Sequence, residues 1–269
     1  MAKLRYVRTP AQLKRAAQTN PEFLSSTVRS IRVVYETDAA VTATVTPKPL
    51  EPCEEPLVCV TFSHVAMEIS PELTIEIGSA IFGVRASYDG VEGTYLITMP
   101  MTTEQAVVPG RETYGEPKKI AEIDFRREGN HVSSRVQRMG IPYLEVEGRL
   151  GATLPAREFT EYGYCFKAFP SCERSGELEG DPLLVRLAWE HVHHEVHSLD
   201  DAELVLRESP FDPVADLPVR RMRRMEYEVG RTRSNGRVLR SVPAAWLLPF
   251  MHGRYDDVSA DGIEIETGA

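Results

Sequence analysis

From residue 28 onward, apolar and polar side chains alternate with the period of two that is typical of strands with one buried face. Glycine, proline, asparagine and aspartate interrupt the alternation, and these residues favour turns. The pattern predicts strands at 28–38, 57–67, 73–88, 93–101, 118–126, 131–138, 143–150, 159–169, 183–197, 202–206 and 219–229. Because several of these runs follow one another across short turns, we expect a mostly antiparallel sheet.

Local signals complete this prediction. Asp89-Gly90 separates two strand-like runs and predicts a tight hairpin. Short helical segments are predicted at 10–18, within 102–114 and at 244–255. Neither a repeat nor a linker of the kind that separates domains is visible. The sequence therefore predicts one α+β domain over 1–269, dominated by strands, with a flexible acidic tail at about 258–269.

Composition and charge narrow the classes of function. The chain has 269 residues, of which 42% are hydrophobic and 26% charged, as is ordinary for a globular protein. Its formal net charge of -9 repels nucleic acid and anionic membranes, so neither is an expected partner. Residues 1–8 lack an apolar run, which predicts no secretory signal and a cytoplasmic location. Free thiols are expected at Cys53, Cys59, Cys165 and Cys172.

The clearest candidate for chemistry is a pair of lysines that follows a proline. Pro117 disfavours helical geometry just before it, so Lys118 and Lys119 lie where a turn becomes a strand. Successive strand side chains point to opposite faces, so if one lysine faces the interior, the other faces away from it. An amine held in an apolar interior loses its proton more easily and then attacks a carbonyl to form a Schiff base. Desolvation, rather than repulsion between the two lysines, is the cause that this geometry favours. The alternative is two solvated surface lysines.

The run Gly110-Arg111-Glu112, followed by Pro117-Lys118-Lys119, resembles the active-site segment of acetoacetate decarboxylases. Further segments in the same order are similar to that family, at 33–38, 56–58, 76–81, 90–96 and 216–219. The lysine motif alone is unspecific, whereas the ordered set is specific. The resemblance implies a closed, cone-like, double-layered β-sheet and a homo-oligomer. It also implies a lyase that uses no cofactor.

The resemblance also implies roles for individual residues. The family's Schiff-base lysine falls on Lys118, and the second lysine of its pair falls on Lys119. The family's acidic catalytic residue falls on Glu76, which we expect to carry protons. The family's arginine near the start of the first strand falls one residue from Arg29. A bulge before Arg32 would turn Arg29 into the pocket, and a surface arginine is the alternative.

Two positions depart from the family's decarboxylases. Thr61 stands where they carry another glutamate, and Glu116 stands where they usually carry an aromatic or apolar residue. Glu116 would supply the acid or base that aldol, dehydration or hydration chemistry needs, and a solvated turn residue is the alternative. Candidates for apolar, substrate-binding walls are Tyr114, Phe82, Phe62 and Met99, with ordinary core packing as the alternative.

A histidine-rich strand invites a metal interpretation. On a strand, His191, His193, Glu195 and His197 would share one face, at a spacing that suits metal ligands. Nothing else in the sequence has metal-type spacing, so we predict no metal and favour a polar strand face or a subunit contact.

These observations predict a lyase acting on an oxo acid through a Schiff base at Lys118. Decarboxylation of a β-oxo acid such as acetoacetate is the first expectation. Aldolase-dehydratase or hydratase chemistry on pyruvate-type 2-oxo acids is the close alternative. A β-barrel that binds a small molecule without catalysis is the alternative from a different class.

Overall fold

The computed structural model describes residues 4–19, 24–70, 72–256 and 262–267, and strands dominate it. The strands are β1 (Leu24–Glu36), β2 (Glu51–Pro52), β3 (Leu57–Ser70), β4 (Leu73–Tyr88), β5 (Val91–Met101), β6 (Lys118–Ile120), β7 (Glu122–Glu128), β8 (His131–Arg138), β9 (Ile141–Thr153), β10 (Arg157–Lys167), β11 (Leu183–Leu206) and β12 (Arg221–Ser241). The helices are α1 (Pro10–Thr19), α2 (Ala39–Val45), α3 (Glu104–Tyr114), α4 (Ala244–Leu247) and α5 (His252–Tyr255).

Strand pairing closes part of the sheet into a ring. The order around it is β1, β3, β4, β5, β10, β11 and β12, and β12 pairs with β1 again. These pairs are antiparallel except the one between β5 and β10. A second layer, β9–β8–β7, continues outward from β11. The predicted closed, double-layered and mostly antiparallel sheet is confirmed.

Two apolar clusters cover the two faces of the ring wall. The outer cluster joins side chains of the ring, such as Ile31 and Phe62, to Val132 and Val146 of the second layer. The inner cluster consists of Ile77, Leu96, Met99, Met101, Ala106, Val107, Cys165, Val185 and Leu187. Because side chains alternate across a strand, the parity of a residue decides which cluster it joins.

Several local predictions are confirmed. Asp89 and Gly90 both have positive φ, 52° and 72°, as the tight turn between β4 and β5 requires. Helix α1 begins at Pro10 as predicted, and Thr9 Oγ1 accepts a hydrogen bond from the Gln12 amide at 3.3 Å.

Other elements differ from the predictions for physical reasons. Bulges let β11 run without a break through both predicted runs, 183–197 and 202–206, and β12 continues to Ser241. The predicted helical turn within 102–114 is a full helix, α3, capped by Thr103. Pro249 divides the predicted C-terminal helix into α4, a 3-10 turn and α5. The sequence analysis missed α2 and β2.

The C-terminal tail beyond α5 has no regular structure in its described part. Residues 262–267 are exposed and have no helix or strand, and the rest of the predicted tail at 258–269 lies outside the described residues. Within the described ranges, no helix is both long and apolar enough to cross a membrane. All four cysteines are free thiols.

Candidate active site

The segment that carries the lysine pair is placed by a helix end and a short parallel strand. Helix α3 ends at Gly115, whose φ of 76° is left-handed and whose amide donates to the Arg111 carbonyl at 3.0 Å. A Cβ at Gly115 would lie 2.6 Å from the Phe166 carbonyl oxygen of β10, so a side chain has no room there. Strand β6 then pairs with β5, with Lys118 opposite Met99. This places Lys118 on the face that carries the inner cluster.

On this inner face, Lys118 contacts the carboxylate of Glu116. Its Nζ lies 2.8 Å from Glu116 Oε2, and the two side chains are only 14% and 8% exposed. Both pack against the backbone of α3 at Gly110, where an added Cβ would lie 2.7 Å from Lys118 Nζ. The absence of a side chain at Gly110 therefore provides the space that the pair occupies. One group of the pair can pass a proton directly to the other.

The surroundings of this pair are apolar and keep neighbouring groups neutral. Met99 is buried beside Lys118, and the half-buried Tyr114 packs against the inner cluster. Burial, together with the charge of Glu116, raises the pKa of the Cys165 thiol, which lies against the Tyr114 carbonyl oxygen at 3.3 Å. Burial and Glu116 likewise raise the pKa of Tyr114. The thiol and the phenol therefore stay protonated, which leaves Lys118 as the candidate nucleophile on this face.

Lys119 occupies a different environment on the other face of β6. Its Nζ donates to the Phe211 carbonyl oxygen at 2.9 Å, to Asp212 Oδ1 at 3.0 Å and to Asp256 Oδ1 at 2.5 Å. Arg138 binds the same two carboxylates, at 2.5 Å and 2.8 Å. The lysines face apart, as the strand geometry predicts. Lys119 is nevertheless buried, because the outer layer covers the outward face of β6 as well.

The structure does not bring Glu76 to Lys118 within the chain. Glu76 is 59% exposed and pairs with His64 at 3.2 Å. Its neighbour Ile77 belongs to the inner cluster, so alternation turns Glu76 to the outer face of β4. The expected contact between Glu76 and the amine is absent here, and the carboxyl beside Lys118 is that of Glu116.

The prediction that Arg29 enters the pocket is wrong for this chain. Strands β1 and β3 pair without a shift from Ser26 to Glu36, so the bulge that Arg29 needed before Arg32 is not formed. Arg29 is exposed, and it shares its face with Ile31 of the outer cluster.

Arg32 is the arginine that points inward. Its guanidinium lies 2.8 Å from Glu161 and 2.8 Å from Glu228, and it also contacts His191 at 3.1 Å. Although burial opposes the charge of Glu161, Arg32 holds the pKa of that carboxyl well below its usual range. Arg32 is thus fully engaged in a buried ionic network.

The remaining wall and pocket candidates divide between the two faces. Thr61 lies opposite Arg32 in the ladder and lines a cleft of about 420 Å³ together with Arg32 and Cys59. Phe82 and Phe62 belong to the outer cluster, so the expectation that they line the pocket of Lys118 is wrong. Parity explains the error, because the inner face of β4 is occupied by Ile81.

The histidine strand does not present one continuous face. A bulge between His193 and Glu195 changes the parity, so His191 and His193 are buried in the network of Arg32, whereas Glu195 pairs with Arg127 of β7. Burial is the main cause that lowers the pKa of His193 to about 3, and the charges of His191 and Arg32 lower it further. Among the described residues, no group of three or more His, Cys, Asp or Glu side chains is arranged to hold a metal ion.

Sequence analysis missed the groups that hold the lysine segment in place. Asp212 and Asp256 are 93 and 137 residues away from Lys119. Arg111 Nη1 donates to the Lys118 carbonyl oxygen at 2.8 Å, and Arg254 Nη1 donates to the Gly115 carbonyl oxygen at 2.6 Å. Arg111 lies in the run Gly110-Arg111-Glu112 that the sequence singles out, and its contact with Lys118 is local. No local pattern marks Asp212, Asp256 or Arg254, because they reach the segment only in the folded chain.

Comparison with known proteins gives a match to one family over most of the chain. The family model described as acetoacetate decarboxylase (ADC) matches residues 7–242. The acetoacetate decarboxylase of Clostridium botulinum is 38% identical over 90 residues, which are 33% of this chain and 35% of that protein. The chain thus spans about a third of the length of this curated relative.

Solved structures share the fold at low sequence identity. The acetoacetate decarboxylase of Legionella pneumophila aligns with a TM-score of 0.72 at 15% identity, over 89% of this chain and 99% of that one. The enduracididine biosynthesis enzyme MppR, solved in complex with pyruvate, aligns with a TM-score of 0.68 at 14% identity. That alignment covers 86% of this chain and 95% of MppR. These structural likenesses concern the fold.

Proposed function

Because the chain belongs to the acetoacetate decarboxylase family, we propose that it is a lyase that forms a Schiff base between Lys118 and a small oxo acid. The observation that carries the proposal is the contact of 2.8 Å between Lys118 Nζ and Glu116 Oε2 in a pocket of the closed ring. An amine with a carboxylate at hydrogen-bond distance has a proton acceptor in place before it attacks a carbonyl. The 14% exposure of Lys118 leaves it accessible to a small substrate.

The first step requires Glu116 to take a proton from Lys118. The neutral amine then adds to the ketone carbon of the substrate. Glu116 returns its proton to the departing hydroxyl group, so that loss of water leaves a positive iminium and an ionised Glu116. The positive iminium nitrogen then lies beside the Glu116 carboxylate, which stabilises it in a pocket of low dielectric. In this scheme the iminium is the electron sink, and no cofactor is needed.

The first candidate reaction is decarboxylation of a β-oxo acid such as acetoacetate. The bond to the carboxyl group breaks, carbon dioxide leaves, and the bonding electrons move to the iminium nitrogen to give an enamine. Protonation of the enamine carbon regenerates an iminium, and water then releases the ketone and Lys118. Glu116, after taking a proton from water, is the acid within reach for that protonation. The similarity to a named acetoacetate decarboxylase supports this candidate.

The second candidate is aldol and dehydration, or hydration, chemistry on a pyruvate-type 2-oxo acid. Here Glu116 removes a proton from the carbon next to the iminium, and the resulting enamine attacks an aldehyde or eliminates water. Two observations favour this reaction. A carboxylate, that of Glu116, lies beside Lys118, and Thr61 stands where the family's decarboxylases carry another glutamate. The structural neighbour solved with pyruvate gives a substrate with which to test it.

Reductive trapping tests the shared step. The protein is incubated with acetoacetate or with pyruvate, borohydride is added, and the adduct is mapped by mass spectrometry. We expect a stable adduct on Lys118 that is absent from the Lys118→Met variant. Release of carbon dioxide from acetoacetate distinguishes decarboxylation from the second candidate. Ligand-induced thermal stabilisation without an adduct would instead indicate a binding protein that is not a catalyst.

We further propose that the protein is a cytoplasmic homo-oligomer. The absence of disulfides among the described cysteines suits a reducing compartment. Light scattering of the purified protein measures the subunit number, and a monomer at micromolar concentration would contradict this proposal.

A further inference from the structure

The ring is weakly joined close to Lys118. The ladder between β5 and β10 consists of two pairs, Thr94 with Gly163 and Tyr95 with Tyr164. From Met99 onward, β5 pairs with β6 instead. Beyond Tyr164 the described strands therefore form no ladder between the lysine segment and β10, and another contact must hold this seam together.

Arg254 makes such a contact, beside the weaker one from Cys165 Sγ to the Tyr114 carbonyl oxygen. Its guanidinium is nearly buried, and Nη1 donates to the carbonyl oxygens of Gly115 at 2.6 Å and of Phe166 at 2.9 Å. Gly115 immediately precedes Glu116, and Phe166 belongs to β10. One side chain thus joins the turn before the reactive pair to the strand across the seam. Hydrogen bonds from a charged donor are among the stronger ones in proteins.

A second arginine holds the other end of the segment. Arg111 Nη1 donates to the Lys118 carbonyl oxygen at 2.8 Å and to the Arg254 carbonyl oxygen at 3.3 Å. The carbonyls at both ends of the stretch 115–118 are therefore bound by guanidinium groups, and Arg111 also bonds the backbone of Arg254. This fixes the backbone on which the side chains of Glu116 and Lys118 stand.

The same C-terminal segment also holds the outward face of β6. Asp256, two residues after Arg254, binds Lys119 at 2.5 Å and Arg138 at 2.8 Å. Residues 254–256 thus contact the lysine segment at two points, the Gly115 carbonyl oxygen and the Lys119 side chain. The family model ends at residue 242, so these contacts come from a part of the chain outside the match.

We infer that Arg254 is a positioning residue, which sets the geometry of the Lys118–Glu116 pair by clamping Gly115 to Phe166. The inference rests on the proposed function, in which Lys118 is the nucleophile. The C-terminal segment is then a working part of the active site. Its loss affects the rate of Schiff-base formation in addition to stability.

The test compares Arg254→Met with Arg240→Met in the full chain. Methionine keeps most of the packing of Arg254 and removes its donors, whereas Arg240 is an exposed arginine that bonds the neighbouring Ser241 carbonyl. The first measurement is the rate of borohydride-trapped adduct formation at saturating acetoacetate or pyruvate. The second is acetylation of Lys118 by acetic anhydride relative to the exposed Lys14, measured by mass spectrometry below the unfolding temperature.

We expect Arg254→Met to slow trapping by about 10-fold to 100-fold, since a displacement of about 1 Å at a reacting group has effects of this size. The loss should fall on the rate at saturation rather than on the half-saturating concentration. The acetylation ratio of Lys118 should rise several-fold, while Arg240→Met changes neither quantity. Arg254→Lys, which retains a charged donor, should recover part of both and serves as the second variant if Arg254→Met does not fold.

A lower unfolding temperature with unchanged trapping and an unchanged acetylation ratio would overturn the inference, because Arg254 would then be a purely structural residue. If the wild-type protein forms no adduct with any oxo acid, the proposed function fails. The acetylation ratio still tests the positioning claim in that case, because it requires no substrate.

Discussion

Lys118 and Lys119 are adjacent in the sequence, yet they differ in how many of their donors are occupied. The ammonium of Lys119 donates to three oxygen atoms, two of them in carboxylates. Lys118 has one ion-pair partner among the described residues, the carboxylate of Glu116. An ammonium has three N–H donors, so the surroundings of Lys119 match the charged form completely. Those of Lys118 leave room for a second reactant.

The difference teaches how one strand carries a reactive and a structural lysine side by side. The outer face of β6 meets a second layer with fixed charges, and a lysine there neutralises Asp212 and Asp256 together with Arg138. The inner face meets the apolar cluster and the gap above Gly110. When Lys118 passes its proton to Glu116, both groups become neutral and no buried charge is left unpaired on the inner face. If Lys119 lost its proton, the buried carboxylates beside it would lose a cation.

The largest expected effect comes from removing the amine on the inner face. Lys118→Met should abolish the borohydride-trapped adduct and turnover, because no other described amine lies in the pocket. Its unfolding temperature should fall, since Glu116 loses its buried partner, but by less than that of Lys119→Met, which deprives two carboxylates of a cation. Mass spectrometry and thermal denaturation check the two parts. An adduct that persists at full yield would place the nucleophile elsewhere.

The next effect concerns the carboxylate on the same face. Glu116→Gln keeps the shape of the side chain and removes its ability to exchange protons, so we expect turnover to fall by about 10²-fold to 10⁴-fold. Glu112→Gln, an exposed change on α3, is the matched control and should have no effect. Steady-state rates with acetoacetate and with pyruvate provide the measurement. Equal rates for the two variants would show that Glu116 takes no part in catalysis.

Parity along the strands could be predicted from the sequence, and it explains both the successes and the failures. The alternation around Lys118 correctly separates the two lysines onto different faces. The same rule puts Glu76 and its neighbour Ile77 on opposite faces of β4. Because Ile77 is on the inner face, the rule turns Glu76 outward, although the family pattern assigns it to the site. The inward direction of Arg32 follows in the same way from its neighbours Ile31 and Val33, which both join the outer cluster.

The partners of Lys119 could not be predicted, because closure of the ring brings them together. Asp212 lies in a loop before β12, and Asp256 follows α5 near the C-terminus. Neither position has a period or a motif that relates it to β6. The bulge at His193 is equally invisible in the sequence, and it changes which face of β11 the later residues occupy.

On the outer face, the expected effect is on stability rather than chemistry. Lys119→Met leaves the carboxylates of Asp212 and Asp256 with one cation fewer, and breaking a buried pair in this way costs about 3–5 kcal/mol. The free energy of unfolding from urea titration measures it, with the exposed Lys48→Met as a control expected within about 0.5 kcal/mol of the wild type. Folded Lys119→Met should still form the adduct. Full stability combined with lost trapping would reverse the assignment of the two lysines.

The smallest effect sharpens the electrostatic side of the comparison, through Asp256. Burial opposes its charge, but hydrogen bonds from Arg138 and Lys119 lower the pKa of Asp256 from 3.8 to about 2. The folded protein therefore binds this proton less tightly than the unfolded chain does. The stability that the carboxylate contributes is complete above about pH 4 and is lost as the pH falls toward 2.

Asp256→Asn should thus lower the free energy of unfolding at pH 7, and the difference from the wild type should shrink near pH 3. Because the side chain is 26% exposed, solvent screens part of the interaction, and the loss should be smaller than for Lys119→Met. Urea titrations of both proteins near pH 7, 5 and 3 provide the measurement. A difference that stays constant down to pH 3 would mean that Asp256 acts through packing, and that the charge balance around Lys119 rests on Asp212 alone.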